Sequence, residues 1–254
     1  SFTIQFRAND CLRVLDQDGG ANNLLLDTSA IFRDCSSWYH IVVAVDTTLS
    51  TSSDRAKLYV NGERITSFSS STYYATQNYQ TSANNTVRAL IGANRPNTSS
   101  TLASYFDGYM AEVNFIDGQA LDPTDFGETK SGVWIPKSYS GSYGTNGFYL
   151  DFATKATDPI DASGNGNNFS STNVASTDWM LDSPTNNFCT LNPLAQFGSP
   201  PISEGNLKVE QADGSDGVFA SIQPTGDKYY WEALLSSGIQ GYGVMANIGN
   251  ASST

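Results

Sequence analysis

Trp38-Tyr39-His40-Ile41-Val42-Val43-Ala44-Val45, followed by Lys57-Leu58-Tyr59-Val60-Asn61-Gly62-Glu63-Arg64-Ile65, is the stretch that decides the fold. The first run is apolar at nearly every position and rich in β-branched side chains, so it reads as a strand covered on both faces and central in its sheet. The second run is a hairpin, because Asn61-Gly62 tolerates the two positive φ angles of a type I′ turn. Working outward, Phe2, Ile4 and Phe6 alternate with Thr3 and Gln5, the period of a half-buried strand. Leu12, Val14 and Leu15 lead through the turn cluster Asp16-Gln17-Asp18-Gly19-Gly20 to a partner strand at Leu24 to Leu26. Further strands are expected at Ala89 to Gly92, Phe106 to Gly118, Gly147 to Phe152, Val218 to Ile222, Lys228 to Leu234 and Gly241 to Ala246.

Composition supports an all-β, antiparallel chain. Of its 254 residues, 32 are Ser, 23 Thr and 21 Asn, beside 22 Gly and 13 Tyr, while charged residues make up only 15%. Turn and strand formers dominate, and good surface-helix formers are scarce. The net charge of -12, with no cluster of Lys or Arg, excludes nucleic acid and anionic membrane surfaces as partners. The longest apolar run, around Ile41 to Val45, is far too short for membrane insertion. Three segments are expected: a β-sandwich over residues 1–126, a Gly/Ser/Tyr-rich extension packing on or linking it over 127–201, and the start of a further β domain over 202–254. About fifty residues are too few for that last segment to stand alone, so the chain reads as part of a longer protein.

Several motifs are familiar. Ser37 to Asp46 resembles the strand "W-H-h-h-h-h-h-D" of laminin-G-like, concanavalin A-like lectin/glucanase domains. Leu58-Tyr59-Val60-Asn61-Gly62 is similar to their "lYvNG" hairpin, and Ile91-Gly92 to the short strand after it. Phe106 to Val113, with Ala120-Leu121 following, resembles their closing strand, although Ala111 stands where the family often has Asp, so no carboxylate role carries over there. The resemblance implies a concanavalin A-like jelly roll across residues 1–126. Asp117 to Leu121, Phe126 to Glu128, Gly132 to Lys137, Gly144 to Phe148 and Asp182 to Phe188 resemble structural proteins of marine bacteriophages, assigned to tail fibres or other virion appendages. A SPRY-like domain often follows in those proteins; Ser203 to Leu207, Tyr229 to Glu232 and Tyr242 to Val244 are similar to its beginning. The resemblance thus implies a virion-surface protein and a homo-oligomer, with host-surface glycans or other virion proteins as partners. The alternative is a secreted or cell-surface adhesion protein of a marine bacterium.

The residues offer little chemistry for catalysis, and a non-enzymatic role is expected. His40, the one histidine, reads as a structural residue within a strand. No Gly-x-Ser-x-Gly elbow occurs, and the Gly-rich stretch Gly141 to Gly147 lacks the Lys-Ser/Thr of a phosphate loop. A glycoside hydrolase is the nearest enzyme reading, because glucanases set two carboxylates on one strand face. Glu112-Val113-Asn114-Phe115-Ile116-Asp117 comes closest, but has Asn114 in place of an acid and Asp117 off the face. No metal site is expected. Asp16 and Asp18 are weak calcium candidates whose plainer reading is a hairpin turn, and that reading extends to Asp161 to Asn168. Cys11, Cys35 and Cys189 allow one bridge, Cys11 to Cys35, and otherwise read as buried thiols. Glycan binding is the function that the composition supports best, through Tyr73, Tyr74 and Tyr79 in a polar loop, since sugars rest on aromatic faces and hydrogen-bond to amides and hydroxyls. The same tyrosines would equally serve to pack the loop onto the sandwich.

Overall fold

The computed structural model describes residues 1–254 except 35–36, 84, 86–87, 95–100, 154–157, 176–177, 187, 211–215, 223–227, 229, 231 and 235–254. Two antiparallel sheets face each other in the first part of the chain. The larger joins β1 (Phe2–Phe6), β2 (Cys11–Asp18), β3 (Ala21–Ile31) and β7 (Phe68–Thr72) in the order β1-β2-β3-β7. The smaller joins β4 (Ile41–Val45), β5 (Ala56–Val60) and β6 (Glu63–Arg64) in sequence order. Period-two alternation directs Leu12 and Val14 of β2, Leu24 and Leu26 of β3, and Ala56, Leu58 and Val60 of β5 into one core, which Tyr74 completes. The sandwich expected from the sequence is therefore present.

Local chemistry sets the registers. Asn61 (φ +50°) and Gly62 (φ +82°) make the β5–β6 turn, so that Val60 faces Glu63. A bulge in β3, where the two steps from Cys11 to Arg13 oppose the four from Ile31 to Asp27, leaves the Leu12 amide to Thr28 Oγ1, which accepts its hydrogen bond at 3.0 Å. A second bulge, on β7 between Phe68 and Ser70, shifts the β3–β7 register, and Leu26, Asp27 and Thr28 are buried in succession. The buried Asp27 carboxylate is held by a two-pronged Arg13 guanidinium, Nε to Oδ1 at 2.6 Å and Nη2 to Oδ2 at 2.5 Å.

Several expected elements differ. The turn between β2 and β3 is confined to Gly19-Gly20, because Asp16 stays in the strand with its carboxylate turned into the core. Among the described residues β4 pairs with β5 alone, so it stands at a sheet edge with half-buried residues and is not central. Ala89 to Gly92 forms no strand, and the strand expected from Phe106 shrinks to β8 (Val113–Phe115). Glu112, at φ +55°, is in the left-handed region and ends any ladder on its N-terminal side. The thiol of Cys11 is buried and unbridged, and Cys189 is exposed rather than buried; Cys35 lies outside the described residues.

Beyond the sandwich come β9 (Gly127–Lys130), β10 (Val133–Pro136), β11 (Phe148–Leu150), β12 (Leu191–Phe197), β13 (Ile202–Ser203), β14 (Lys208–Val209) and β15 (Gly217–Ala220). They form antiparallel two-stranded ribbons: β9 with β10, β8 with β11, β12 with β15 and β13 with β14. Trp134 of β10 lies on the sandwich, where its indole Nε1 donates to His40 Nδ1 at 3.0 Å and stacks on that imidazole. A Cβ at Gly62 or Gly127 would fall 2.5 or 2.4 Å from the indole, so both positions require glycine. Trp38 adds a second tie, donating through Nε1 to Asp182 Oδ2 at 3.0 Å. Ser1–Ser221 forms one compact unit and Ile222–Thr254 another. The strands expected after Ile222 lie largely outside the described residues. No helix among the described residues is long and apolar enough to cross a membrane.

Candidate functional site

At the end of β7 the chain turns over the sandwich, and Tyr73 to Thr76 and Tyr79 border a shallow recess of about 120 Å³ with Asn22, Asn23 and Thr72. Sites that enclose a small molecule span roughly 300–1,000 Å³, so this recess can take the edge of one ring and cannot engulf a ligand. Its walls carry two half-buried tyrosines, Tyr73 and Tyr79, together with the side chains of Asn22, Asn23, Thr72 and Thr76.

Tyr74 has a different role from its neighbours. Its side chain is 1% exposed, and its hydroxyl donates to Asp16 Oδ2 at 2.9 Å. Burial, reinforced by the Asp16 carboxyl, pushes its phenol far above the ordinary value. Tyr74 therefore cannot present a face to a sugar, and the reading of it as a contact residue is corrected: it is the anchor on which Tyr79 stacks, at 5.3 Å between centroids and 25° between planes. Desolvation also raises the Tyr79 phenol.

The loop is held rigidly from below. The buried Arg55 guanidinium donates to four carbonyls, those of Leu49 (2.7 Å), Ser50 (2.9 Å), Tyr74 (2.7 Å) and Ala75 (2.9 Å). Thr47 Oγ1 donates to the Tyr79 carbonyl at 3.0 Å, Asn78 N to the Thr47 carbonyl at 2.8 Å, and Gln77 Nε2 to the Thr48 carbonyl at 2.6 Å. Recognition by such a loop costs little ordering entropy. Arg55 escaped the sequence reading, as did Asn22 and Asn23. An Arg directly before an alternating strand is a faint signal; the two asparagines carry none until β3 is placed beside residue 72.

The other candidates are occupied by structural bonds. Asp16 Oδ2 accepts from both Tyr74 and the Ser82 amide (3.1 Å), which commits it to the core, while Asp18 is exposed at the strand end. The structure brings no third acidic, His or Cys side chain to them as a metal cluster among the described residues. Asp161 organises its own loop, accepting from the amides of Tyr149, Ser163 and Asn167, each at 2.9 Å. Burial works to raise its pKa, and these bonds outweigh it and hold the carboxyl below the ordinary value. Of the hydrolase candidates, Glu112 accepts from the Tyr149 hydroxyl, Asn114 Oδ1 from Tyr143 (3.0 Å), and Asp117 Oδ2 from Asn146 N and Nδ2 (3.1 and 2.8 Å). His40 accepts from Trp134 at Nδ1, and burial lowers its pKa.

Residues 1–125 match the family model of the concanavalin A-like lectin/glucanases superfamily. The matched region holds both sheets of the sandwich, the residue 73–79 loop and β8. No curated protein and no solved structure matches the chain.

Proposed function

We propose that this chain is a non-enzymatic carbohydrate-binding protein, and that on a phage particle it attaches the virion to glycans of the host surface. The observation that carries the binding reading is the pinned loop of residues 73–79. It sets two half-buried tyrosines beside amide and hydroxyl side chains, and Arg55 holds its backbone in one conformation. Flat aromatic surface with directional polar groups suits the alternating C–H faces and hydroxyl edges of a sugar. The lectin/glucanase match over the same region supports this reading. The virion setting rests on the resemblance of residues 117–188 to phage appendage proteins, and with it come an oligomeric assembly and a surface location. The hydrogen-bonded states of Glu112, Asn114 and Asp117 favour binding over hydrolysis, because a retaining glycosidase needs two carboxylates about 5 Å apart and the middle position here carries an amide.

A glycan array tests the reading with the full chain beside Tyr73→Ala and Tyr79→Ala. Selective binding that weakens about tenfold in either variant supports it. An array without hits overturns it and leaves an assembly role.

A further inference from the structure

A second surface, apart from the Tyr73–Tyr79 recess, has the chemistry of a ligand platform. The β8–β11 ribbon turns Phe115, Phe148 and Leu150 toward one side, where the two Phe rings stack at 5.5 Å, and sets Asn114 directly opposite Tyr149 on the other. From Tyr149 an aromatic row runs outward. Tyr149 stacks on Tyr143 (6.1 Å, 15°), Tyr143 meets Tyr139 edge-on (5.2 Å, 88°), and Tyr139 leans on Phe126 (5.1 Å, 33°). All four rings are half-buried.

Each hydroxyl in the row is oriented. Tyr149 donates to Glu112 Oε2, Tyr143 to Asn114 Oδ1 at 3.0 Å, and Tyr139 to the Ser142 carbonyl at 3.1 Å. Glu112 is exposed and takes a left-handed backbone, φ +55°, which costs a non-glycine residue about 1 kcal/mol or more. Its carboxylate accepts the Tyr149 hydroxyl through Oε2 while the residue itself stays exposed. At the Tyr149 end the charged groups bonded to the row are acidic, Glu112 at the Tyr149 hydroxyl and Asp161 at its amide, while the Lys137 ammonium at the far end is taken up by the Thr124 carbonyl. A sulfated or uronate chain would meet repulsion there, whereas a neutral hydroxylated chain finds ring surface and acceptors.

We propose that Tyr143, Tyr149 and Glu112 form a binding site for a neutral polysaccharide, with the carboxylate taking up sugar hydroxyls beside the tyrosine row, while Asn114, bonded to Tyr143 at Oδ1 and to the Glu112 carbonyl through Nδ2, positions the site. This rests on the carbohydrate-binding reading above and adds a site and a charge class to it. The strained Glu112 and the buttressed rings give the site a fixed geometry before the ligand arrives.

The test is affinity electrophoresis of the full chain in gels containing a neutral glucan, a neutral mannan or alginate, and separately titration with polylysine. Glu112→Gln and Tyr149→Phe are compared with Tyr73→Ala and Tyr79→Ala, and near-UV circular dichroism verifies the fold of each. Retardation by a neutral polymer, none by alginate, and about a tenfold loss in Glu112→Gln and Tyr149→Phe is the result expected. Binding that Glu112→Gln and Tyr149→Phe leave intact, but Tyr73→Ala or Tyr79→Ala abolishes, overturns this site and leaves the carbohydrate-binding reading standing. Preference for alginate overturns the charge argument. Polylysine binding lost in Glu112→Gln, with no retardation by any polysaccharide, makes the row a cationic-peptide surface and overturns both readings, and no binding of any kind does the same.

Discussion

Replacing Asp16 with Asn and with Ala separates two uses of one buried carboxyl. Asp16 is fully buried on the inner face of β2; its Oδ2 accepts from the Tyr74 hydroxyl at 2.9 Å and the Ser82 amide at 3.1 Å. Its Oδ1 is buried with no hydrogen-bond partner among the described residues. Asp16→Ala leaves the buried Tyr74 hydroxyl unpaired, at about 1–3 kcal/mol, and the half-buried Ser82 amide unpaired at less, so the variant should lose about 2–4 kcal/mol of stability. Asp16→Asn keeps an oxygen toward both donors and exchanges an unpaired acceptor for an unpaired amide donor. Two penalties of the same kind cancel, and stability should stay within about 1 kcal/mol of the parent. Tyr74→Phe removes one of the two bonds and should fall between them, at about 1–2 kcal/mol. Urea denaturation followed by tyrosine near-UV circular dichroism reads all three, with the midpoint at constant slope as the measure. If Asp16→Asn were as damaging as Asp16→Ala, the hydrogen-bond account would be refuted, because a second anionic oxygen and not the shared acceptor would then be what the core requires.

Other outcomes follow from the packing. Leu26→Ala, at a fully buried position in the same core cluster as Leu58, should cost about 2–5 kcal/mol, whereas Leu194→Ser, 77% exposed on β12, should leave the urea midpoint unchanged. Gly127→Ala would place a methyl 2.4 Å from Trp134 and lift the indole off His40, which a red-shifted tryptophan emission would report. Asp27 has its pKa held below 3.8 first by the Arg13 hydrogen bonds, so its contribution is complete above that pH and is lost as pH falls through the lower folded value. Arg13→Gln should therefore weaken the protein at pH 7 and flatten its loss of stability on strong acidification. His40, half-buried as a neutral acceptor, acts earlier: stability should decline as pH drops below 6.5, and His40→Gln should remove that part of the profile in urea titrations.

The alternation in β2 and β5, the Asn61-Gly62 turn and the scarcity of helix formers were local matters of period, φ preference and composition, and the sequence by itself determined them: an all-β sandwich with a type I′ hairpin. The polar segment carrying Tyr73, Tyr74 and Tyr79 was likewise legible along the chain. Which tyrosine does what was not, because Tyr73, Tyr74 and Tyr79 differ only in where the loop seats them. Tyr74 is drawn inside by a carboxyl 58 residues away, and Arg55 holds the loop through carbonyls, which leave no mark in a sequence. The apolar run at Ile41 to Val45 told its strand but not its place in the sheet, since edge or centre depends on what pairs beside it. The row from Glu112 to Tyr149 joins residues 37 apart through one hydrogen bond and one left-handed backbone angle. Side-chain period and turn chemistry act over a few residues and can be read along the chain; burial, partner and register are set across space, and only the tertiary structure decided them.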